Sequence, residues 1–233
     1  MKRQCMIGVN LKSVPTINGI PYPIYDMLDV LSHDWSFILR EGIFRVPGNY
    51  AVIKQVTDFY ERGETVDLSQ LNVDVVASLL KNYLKLIPNK LISDDERDMF
   101  DATIQIDKSY NDIILMNMIN AVSFLKLTNY LTLKHVIFHL RLVSQYSRQN
   151  LMDVSNLATV FAPAMFSLSL QELMNKDNYA VKTIVFFIEN YDKIFISNVH
   201  KTVSAYMEPT EYQLPRTKNP QTPRPKETPH VTV

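Results

Sequence analysis

An arginine beside a predicted turn is the residue of this chain best suited to chemistry. It is Arg45, and the stretch around it reads Glu41-Gly42-Ile43-Phe44-Arg45-Val46-Pro47-Gly48-Asn49. Because proline fixes one backbone angle and Gly-Asn tolerates positive φ, the stretch predicts a loop at the end of a helix. A guanidinium held there is a planar, permanently charged fork that can reach a partner's phosphate. From this stretch alone, a solvated or locally paired arginine is the simpler interpretation.

Two lysines are spaced for one face of a predicted helix. Lys81 and Lys85 lie between Asn72, a suitable N-cap, and Pro88, before which the helix is expected to stop. The face that they share carries Asp74, Ser78, Lys81 and Lys85, and the apolar stripe carries Val76, Leu79, Leu80, Tyr83 and Ile87. The pattern therefore predicts both lysines on the exposed side. A solvated charged face is the ordinary fate of lysines on a helix.

An asparagine lies near the start of another short helix. Asp153 is placed as the N-cap, Asn156 follows three residues later, and the helix is predicted to end before Pro163. An asparagine on a helix is usually bonded to nearby backbone, so this stretch alone assigns no function to it.

The three stretches together, in this order and at this separation, resemble the signature of Rho-type GTPase-activating (RhoGAP) domains. The resemblance runs from about residue 7 to about residue 195, and its motifs are Gly42-Ile43-Phe44-Arg45, Leu80-Lys81-Asn82-Tyr83-Leu84 and Asn156-Leu157-Ala158-Thr159-Val160-Phe161-Ala162-Pro163. In that family the first motif supplies an arginine finger, which implies that Arg45 is the catalytic residue. The residues implied to bind the GTPase or to orient the finger are Lys81, Lys85, Asn156, Gly42, Phe44 and Pro163.

Two positions depart from the family pattern. The segment after the lysine motif reads Lys85-Leu86-Ile87-Pro88-Asn89-Lys90-Leu91, where the family usually has Arg-Glu-Leu-Pro-Glu-Pro-Leu. Lys85 keeps the charge of that arginine but loses the planar fork of a bidentate bond. Leu125-Lys126 stands where family members tend to have Leu-Pro. Neither change touches Arg45.

The resemblance implies catalysis in trans, not an enzyme with a substrate pocket of its own. The sequence has no Gly-x-x-x-x-Gly-Lys-Ser/Thr loop, so GTP and Mg²⁺ are expected to belong to a Rho-family GTPase such as Rho, Rac or Cdc42. No cofactor or metal of its own is expected. Two alternatives stay open: a catalytically silent GTPase-binding adaptor, and a helical scaffold whose working part is the tail. A nucleophilic enzyme is disfavoured because the lone Cys5 has no His in local reach.

Composition favours a single helical domain. The 233 residues are 46% hydrophobic and 21% charged, and only five are glycine, which favours an all-α fold. A multi-helix RhoGAP-like bundle is expected over residues 1–200. The zero net charge argues against nucleic acid, the single cysteine suits the cytosol, and no apolar run approaches the ~18 residues of a membrane span. A cytoplasmic location is expected, with membrane recruitment left to the partner GTPase.

Apolar periodicity predicts further helices. They span residues 24–39, 50–60, 113–127, 131–146 and 179–195, with an acidic helix start at residues 94–98 and a cap at residues 128–129. Residues 1–23 are predicted to be extended, and Trp35 is predicted to lie in the core. His135 and His139 are spaced i, i+4, which in principle suits zinc. No third ligand stands out, so a core or surface pair is favoured.

The composition changes at about residue 201. Six of the 12 prolines lie in residues 201–233, mixed with Thr, Lys and Glu, which predicts a disordered proline-rich tail. The segment Pro220-Gln221-Thr222-Pro223 could dock on an SH3-type groove, and Thr222 and Thr228 could be phosphorylated. A plain solubilising tail is the simpler interpretation.

Overall fold

The computed structural model describes residues 4–175 and 178–196, and α-helices account for most of them. These helices are α1 (Tyr22–His33), α2 (Trp35–Ile38), α3 (Tyr50–Glu61), α4 (Val73–Leu86), α5 (Asp94–Ile104), α6 (Asn111–Ser123), α7 (Leu127–Ser144), α8 (Ser147–Asn150), α9 (Val154–Met165), α10 (Leu170–Met174), α11 (Tyr179–Glu189) and α12 (Tyr191–Phe195). The predicted all-α fold is confirmed. The predicted tail and the boundary at residue 200 lie outside the described residues.

A two-stranded hairpin precedes the helices. Strands β1 (Thr16–Ile17) and β2 (Ile20–Pro21) pair antiparallel. The turn between them holds Asn18 and Gly19 at φ values of +51° and +77°, the conformation that a tight Asn-Gly hairpin requires. The extended lead-in predicted for residues 1–23 thus contains a short hairpin and a 3₁₀ turn at Leu11–Ser13.

Side-chain caps set where several helices begin. Asn49, Asn72 and Asp153 accept hydrogen bonds from backbone N–H groups in the first turns of α3, α4 and α9. Ser93 and Glu96 form a capping box at the start of α5, whose first turn holds the predicted acidic cluster. The predicted caps at Asn72 and Asp153 are therefore confirmed.

Helices α4 and α9 pack against each other within the bundle. Helix α9 also packs on α7 and α11, while α4 also packs on α1 and α3. The predicted apolar stripe of α4 is buried, namely Val76, Leu79, Leu80, Tyr83 and Ile87. Full burial of an aliphatic side chain of this kind stabilises the fold by roughly 1.5–3 kcal/mol. The Oη of Tyr83 donates to the carbonyl of Met6 at 2.7 Å, which ties the N-terminal segment to α4.

The helix predicted over residues 24–39 is interrupted. Asp34 ends α1 in extended backbone, and its carboxylate accepts a hydrogen bond from the N–H of Ser36 at 2.8 Å, which starts α2 separately. The restart leaves Trp35 56% exposed, with its ring edge-on to Tyr146 at 5.4 Å between centroids. The prediction of a core Trp35 was wrong. Asp34 ends α1 and caps α2, so the apolar spacing of α1 does not extend to Trp35.

Other helix boundaries also differ from the prediction. Helices α6 and α7 meet at residues 124–126, and Asn129 lies inside α7, where its Nδ2 donates to the carbonyl of Leu91 at 2.8 Å. The helix predicted over residues 179–195 breaks at Asn190, whose side chain donates to the carbonyl of Phe186 at 3.2 Å. Both asparagines make tertiary or local bonds that a periodicity argument does not include. In the described ranges, no helix is long and apolar enough to cross a membrane.

Candidate functional site

The arginine loop, residues 41–49, connects α2 to α3. Gly42 and Phe44 both have positive φ, +70° and +67°, so the chain turns sharply within this short segment. The N–H groups of Arg45 and Val46 donate to the carbonyl of Gly42, each at 2.8 Å. The N–H of Gly42 donates to the carbonyl of Asn150 at 2.7 Å. The loop predicted from the sequence is confirmed, and it is closed on itself and tied to the segment before α9.

Phe44 anchors the loop in the core. Its side chain is fully buried, and its ring meets Phe161 of α9 and His139 of α7 edge-on, at 4.9 and 5.7 Å between centroids. A left-handed conformation costs a non-glycine residue roughly 1–2 kcal/mol. The buried ring offsets that cost, so the backbone just before Arg45 is held in a conformation that it would not adopt alone.

One face of α4 holds the loop at three points. The Nη2 of Arg40, just before the loop, pairs with Oδ2 of Asp74 at 3.0 Å. The N–H of Gly48 donates to Oγ of Ser78 at 2.9 Å, and Nζ of Lys81 donates to the carbonyl of Phe44. These three α4 residues lie at the spacing predicted from the sequence, and together they bind both ends and the middle of the loop region.

The prediction that both lysines are exposed holds for Lys85 only. Lys81 is half-buried, because its amine is committed to the loop carbonyl, and burial lowers the pKa of that amine. Asp74, on the same face, is also buried. Helical periodicity predicted a solvated face, but it contains no information about the arginine loop, which covers this face from Asp74 to Lys81.

Gly48 lies where two backbones touch. A Cβ at this position would lie 2.5 Å from the carbonyl oxygen of Asp74 and 2.5 Å from the Cα of Val75. Real Cβ atoms do not approach backbone so closely, so the loop can pack on the start of α4 only because this residue has no side chain.

Asn150 is a buried positioning residue that the sequence interpretation did not single out. Its Nδ2 donates to the carbonyls of Ile38 and Val143, both at 2.9 Å, and its Oδ1 accepts from the N–H of Met152 at 2.8 Å. Its own carbonyl accepts from Gly42. The side chain and backbone of this one residue thus connect α2, α7, the arginine loop and the segment that leads into α9. Its position six residues before Asn156, just ahead of the third motif, is the sequence signal that could have drawn attention to it.

Asn156 lies exposed on the first turn of α9. Its N–H donates to Oδ1 of Asp153 at 2.7 Å, and its Nδ2 lies 3.4 Å from the carbonyl of Leu151. Through Leu151 it adjoins Asn150 and hence the loop. Pro163 is half-buried near the end of α9, which continues through it. The prediction that α9 ends before Pro163 was wrong. The proline removes one helical hydrogen bond and crowds the preceding turn, but its buried neighbours, including Phe161 and Met165, keep the helix packed.

The two histidines of α7 have separate environments. His139 is fully buried, its Nδ1 lies 3.0 Å from Oγ of Ser32, and burial lowers its pKa to about 4. The Nδ1 of His135 lies 2.8 Å from the carbonyl of Leu131. Residues 4–175 and 178–196 contain no group of three His, Cys, Asp or Glu side chains placed to hold a metal ion. The alternative of a zinc site on this helix therefore has no support. The buried ring of His139 instead packs against the ring of Phe44.

The site as a whole presents one cation on a fixed backbone. The side chain of Arg45 is exposed, and its guanidinium has no ion pair within the described part of the chain. The backbone around it is held at Gly42, Phe44 and Gly48. Entry of this guanidinium into an anionic site on another molecule would therefore require little ordering of the loop. Lys85 and Asn156 lie exposed on the helices that flank it.

Comparison with known proteins identifies relatives of this arrangement. The RhoGAP domain matches residues 21–169. Over 194 residues the chain is 34% identical to the human T-cell activation Rho GTPase-activating protein, which covers 80% of this chain and 26% of that protein. It is 35% identical over 167 residues to the Rho GTPase-activating protein gacJJ of Dictyostelium discoideum, covering 69% of this chain and 19% of that protein. The chain thus spans about a quarter or less of these relatives.

Solved structures share the fold. The crystal structure of human Rho GTPase activating protein 15 superposes with a TM-score of 0.74 at 22% identity, covering 83% of this chain and 93% of that one. The BH domain from the GTPase regulator associated with focal adhesion kinase gives a TM-score of 0.67 at 23% identity, covering 75% of this chain and 93% of its own. At these identities the two structures establish the helical architecture alone.

Proposed function

This chain belongs to the RhoGAP domain family, and from that membership we propose that it accelerates GTP hydrolysis by a Rho-family small GTPase. The observation that carries the proposal is the exposed guanidinium of Arg45, which forms no ion pair with the described residues, on a loop held by Phe44 and Lys81. The chain would act as an activator in trans, while the partner supplies GTP, Mg²⁺ and the attacking water. No cofactor of its own is required for this chemistry.

Arg45 would supply charge that the partner lacks. As the γ-phosphoryl group transfers to water, negative charge spreads over the phosphate oxygens, and a guanidinium placed there stabilises the transition state. In the Ras system such assistance is worth about 10⁵-fold in rate. The planar fork suits this task because it can donate two parallel hydrogen bonds to phosphate oxygens.

The remaining residues would position the finger or contact the partner. Lys81 would fix the loop through the carbonyl of Phe44, and Gly42 provides the backbone turn before it. Asn156 and Lys85, exposed on α9 and α4, would contact the mobile switch segments of the GTPase. Pro163 would contribute through the end of α9. The proposed place of action is the cytoplasm, with recruitment to a membrane by the partner GTPase.

The test is single-turnover GTP hydrolysis by a panel of Rho, Rac and Cdc42 proteins with the wild type and with Arg45→Ala. We expect one partner to be accelerated by the wild type, and the variant to bind it with little acceleration. The matched control is Arg62→Ala, because Arg62 lies at the far end of α3, about 18 Å from the loop along the helix axis. Binding without acceleration by the wild type would instead identify an adaptor.

A second proposed partner concerns the tail. An SH3-type domain would dock on Pro220-Gln221-Thr222-Pro223 as a polyproline ligand. Deletion of residues 201–233 should leave GTPase acceleration unchanged and abolish capture by an SH3 domain. Loss of acceleration on deletion would favour the scaffold alternative, in which the tail is the working part.

A further inference from the structure

The turn after α4 has an unusual backbone. Helix α4 ends at Leu86, and Asn89 and Lys90 follow Pro88 with φ values of +60° and +62°. Two consecutive non-glycine residues are thus left-handed. Asparagine tolerates this conformation, whereas the Cβ of a lysine crowds the backbone in it. Strained backbone of this kind persists only where its surroundings impose it, and it often marks a functional segment.

The turn brings two lysines together. The Nζ of Lys90 donates to the backbone carbonyl of Lys85 at 2.7 Å, so the Lys90 side chain folds back over the last turn of α4. Burial and the neighbouring charge of Lys85 lower the pKa of Lys90. A cation at the C-terminal end of a helix is favoured by the helix dipole, but a second one beside it adds repulsion.

Among the described residues, no carboxylate forms an ion pair with either lysine. The cations that do form ion pairs there include Arg40, Lys54, Arg62, Arg97 and Arg141, whereas Lys85 and Lys90 form none with the described carboxylates. The whole chain has zero net charge, so the pair is a local positive patch on a neutral protein. Uncompensated charge of one sign on a surface attracts a partner of the opposite sign.

The patch continues the arginine site along α4. Lys81 bonds the loop carbonyl next to Arg45, and Lys85 lies one turn further on the same face, about 6 Å along the axis. Lys90 adjoins Lys85. The cations therefore form a row that begins at the arginine loop and ends at the left-handed turn, on the side where a molecule engaged by Arg45 would lie.

We propose that Lys85 and Lys90 form a docking patch for an acidic segment of the GTPase beside its nucleotide site. This inference rests on the proposed function and deepens it. The patch sets the affinity for the GTP-loaded partner and contributes to the choice among Rho-family members, because partners differ in the charge that they present there. It does not enter the chemical step, which belongs to Arg45. Lys90 is therefore a specificity-determining residue that the family pattern, with proline at this position, does not supply.

The experiment separates affinity from chemistry. Single-turnover hydrolysis by the GTPase that responds to the wild type is measured at increasing activator concentration for the double variant K85E/K90E, for Lys90→Gln and for the control Lys12→Glu, an exposed lysine on a 3₁₀ turn. We expect K85E/K90E to raise the half-saturating concentration about tenfold, with the saturating rate nearly unchanged. The increase should shrink between about 50 and 200 mM salt, as screening predicts. Lys12→Glu should change neither quantity.

Other results overturn the inference. If Lys90→Gln lowers the thermal midpoint of unfolding while K85E/K90E leaves the half-saturating concentration unchanged, Lys90 only caps α4. If the saturating rate falls and the half-saturating concentration does not rise, the pair acts on the chemistry. If the wild type accelerates no GTPase, the proposed function fails first and the inference fails with it. Acceleration by the wild type with unchanged half-saturation in the variant rejects the inference alone.

Discussion

The arginine loop and the aromatic interior of the same bundle are held by different forces. In the interior, Phe187 of α11 meets Phe100 of α5 and Phe195 of α12 edge-on, at 5.4 and 5.8 Å between ring centroids. Packing of this kind is non-directional apart from ring orientation. At the loop, single hydrogen bonds connect distant parts of the fold: Lys81 donates to the carbonyl of Phe44, and the carbonyl of Asn150 accepts from the N–H of Gly42. The loop is fixed by a few directional contacts around one buried ring, that of Phe44, whereas the interior is fixed by many adaptable contacts.

This difference predicts how the two regions respond to substitution. Loss of an interior ring removes burial and leaves a cavity, which lowers stability but leaves the surface geometry of a folded molecule intact. Loss of a contact at the loop displaces the backbone that carries Arg45, and a displacement of about 1 Å at a reacting centre can lower a rate about 10²-fold. The two regions should therefore separate stability from activity.

The largest expected effect on the unfolding free energy comes from a matched pair of ring deletions. Phe44→Ala and Phe187→Ala should each destabilise the protein by about 3–5 kcal/mol, since both rings are fully buried. Urea denaturation followed by circular dichroism measures this loss. At a temperature where both variants are folded, only Phe44→Ala should lose acceleration of GTP hydrolysis. Equal residual acceleration by the two folded variants would remove the distinction between the regions.

A smaller effect on the unfolding free energy is expected from pH, and it comes from His139, whose ring packs beside the loop. Burial lowers the pKa of His139 from 6.5 to about 4, so the folded state favours the neutral ring. Stability from this source is complete above about pH 6.5 and is lost as the pH falls toward 4, by about 3 kcal/mol in all.

The measurement is the unfolding free energy between pH 7.5 and 4 for the wild type and His139→Gln. The wild-type curve should fall relative to that of His139→Gln by about 1.4 kcal/mol per pH unit over most of this interval. His33→Gln, at an exposed histidine, should follow the wild type. Parallel curves for the wild type and His139→Gln would show that the buried ring is not a source of acid sensitivity.

The smallest stability effect is expected where the activity effect is large. Lys81→Met keeps most of the packed stem but removes the hydrogen bond to the carbonyl of Phe44, so the unfolding free energy should fall by about 1–2 kcal/mol. The saturating rate of hydrolysis should fall about 10²-fold because the loop loses its link to α4. Lys85→Met is the control, and it should keep the saturating rate. Retention of that rate by Lys81→Met would show that the hydrogen bond does not position Arg45.

The sequence predicted the elements whose signals are local. The caps Asn72 and Asp153 precede the helices that they start, and the loop at Arg45 follows from its own turn residues. The prediction that Arg45 acts as the finger stays a prediction. Signals that depend on distant partners were missed: Lys81 bonds a residue 37 positions away, and Asn150 bonds Ile38 across 112 positions. Periodicity describes one helix at a time and contains no information about which segment covers its polar face.

The aromatic interior shows the same limit in another form. The helix predicted over residues 179–195 does bury apolar residues, among them Ile184, Phe187 and Ile188, although it breaks at Asn190. Hydrophobic burial tolerates such a break because contacts of similar size can form from either side of it. Trp35 was placed wrongly because one capping residue, Asp34, changes the direction of the chain. Which apolar residues of a helix are buried is thus easier to predict than where the chain changes direction.

Asn150 and Lys81 hold the loop although they are distant from it in the sequence, and this limits how the loop could be transferred to another molecule. A peptide of residues 41–49 would carry the guanidinium and both left-handed residues, but neither the α4 and Asn150 atoms that bond its backbone nor the Phe161 ring that covers Phe44. The free peptide would be flexible, and ordering its backbone on binding would cost roughly 1–2 kcal/mol of conformational entropy per residue. The motif is therefore not a module that can be grafted or mimicked as a short ligand. Its smallest transferable unit is the bundle.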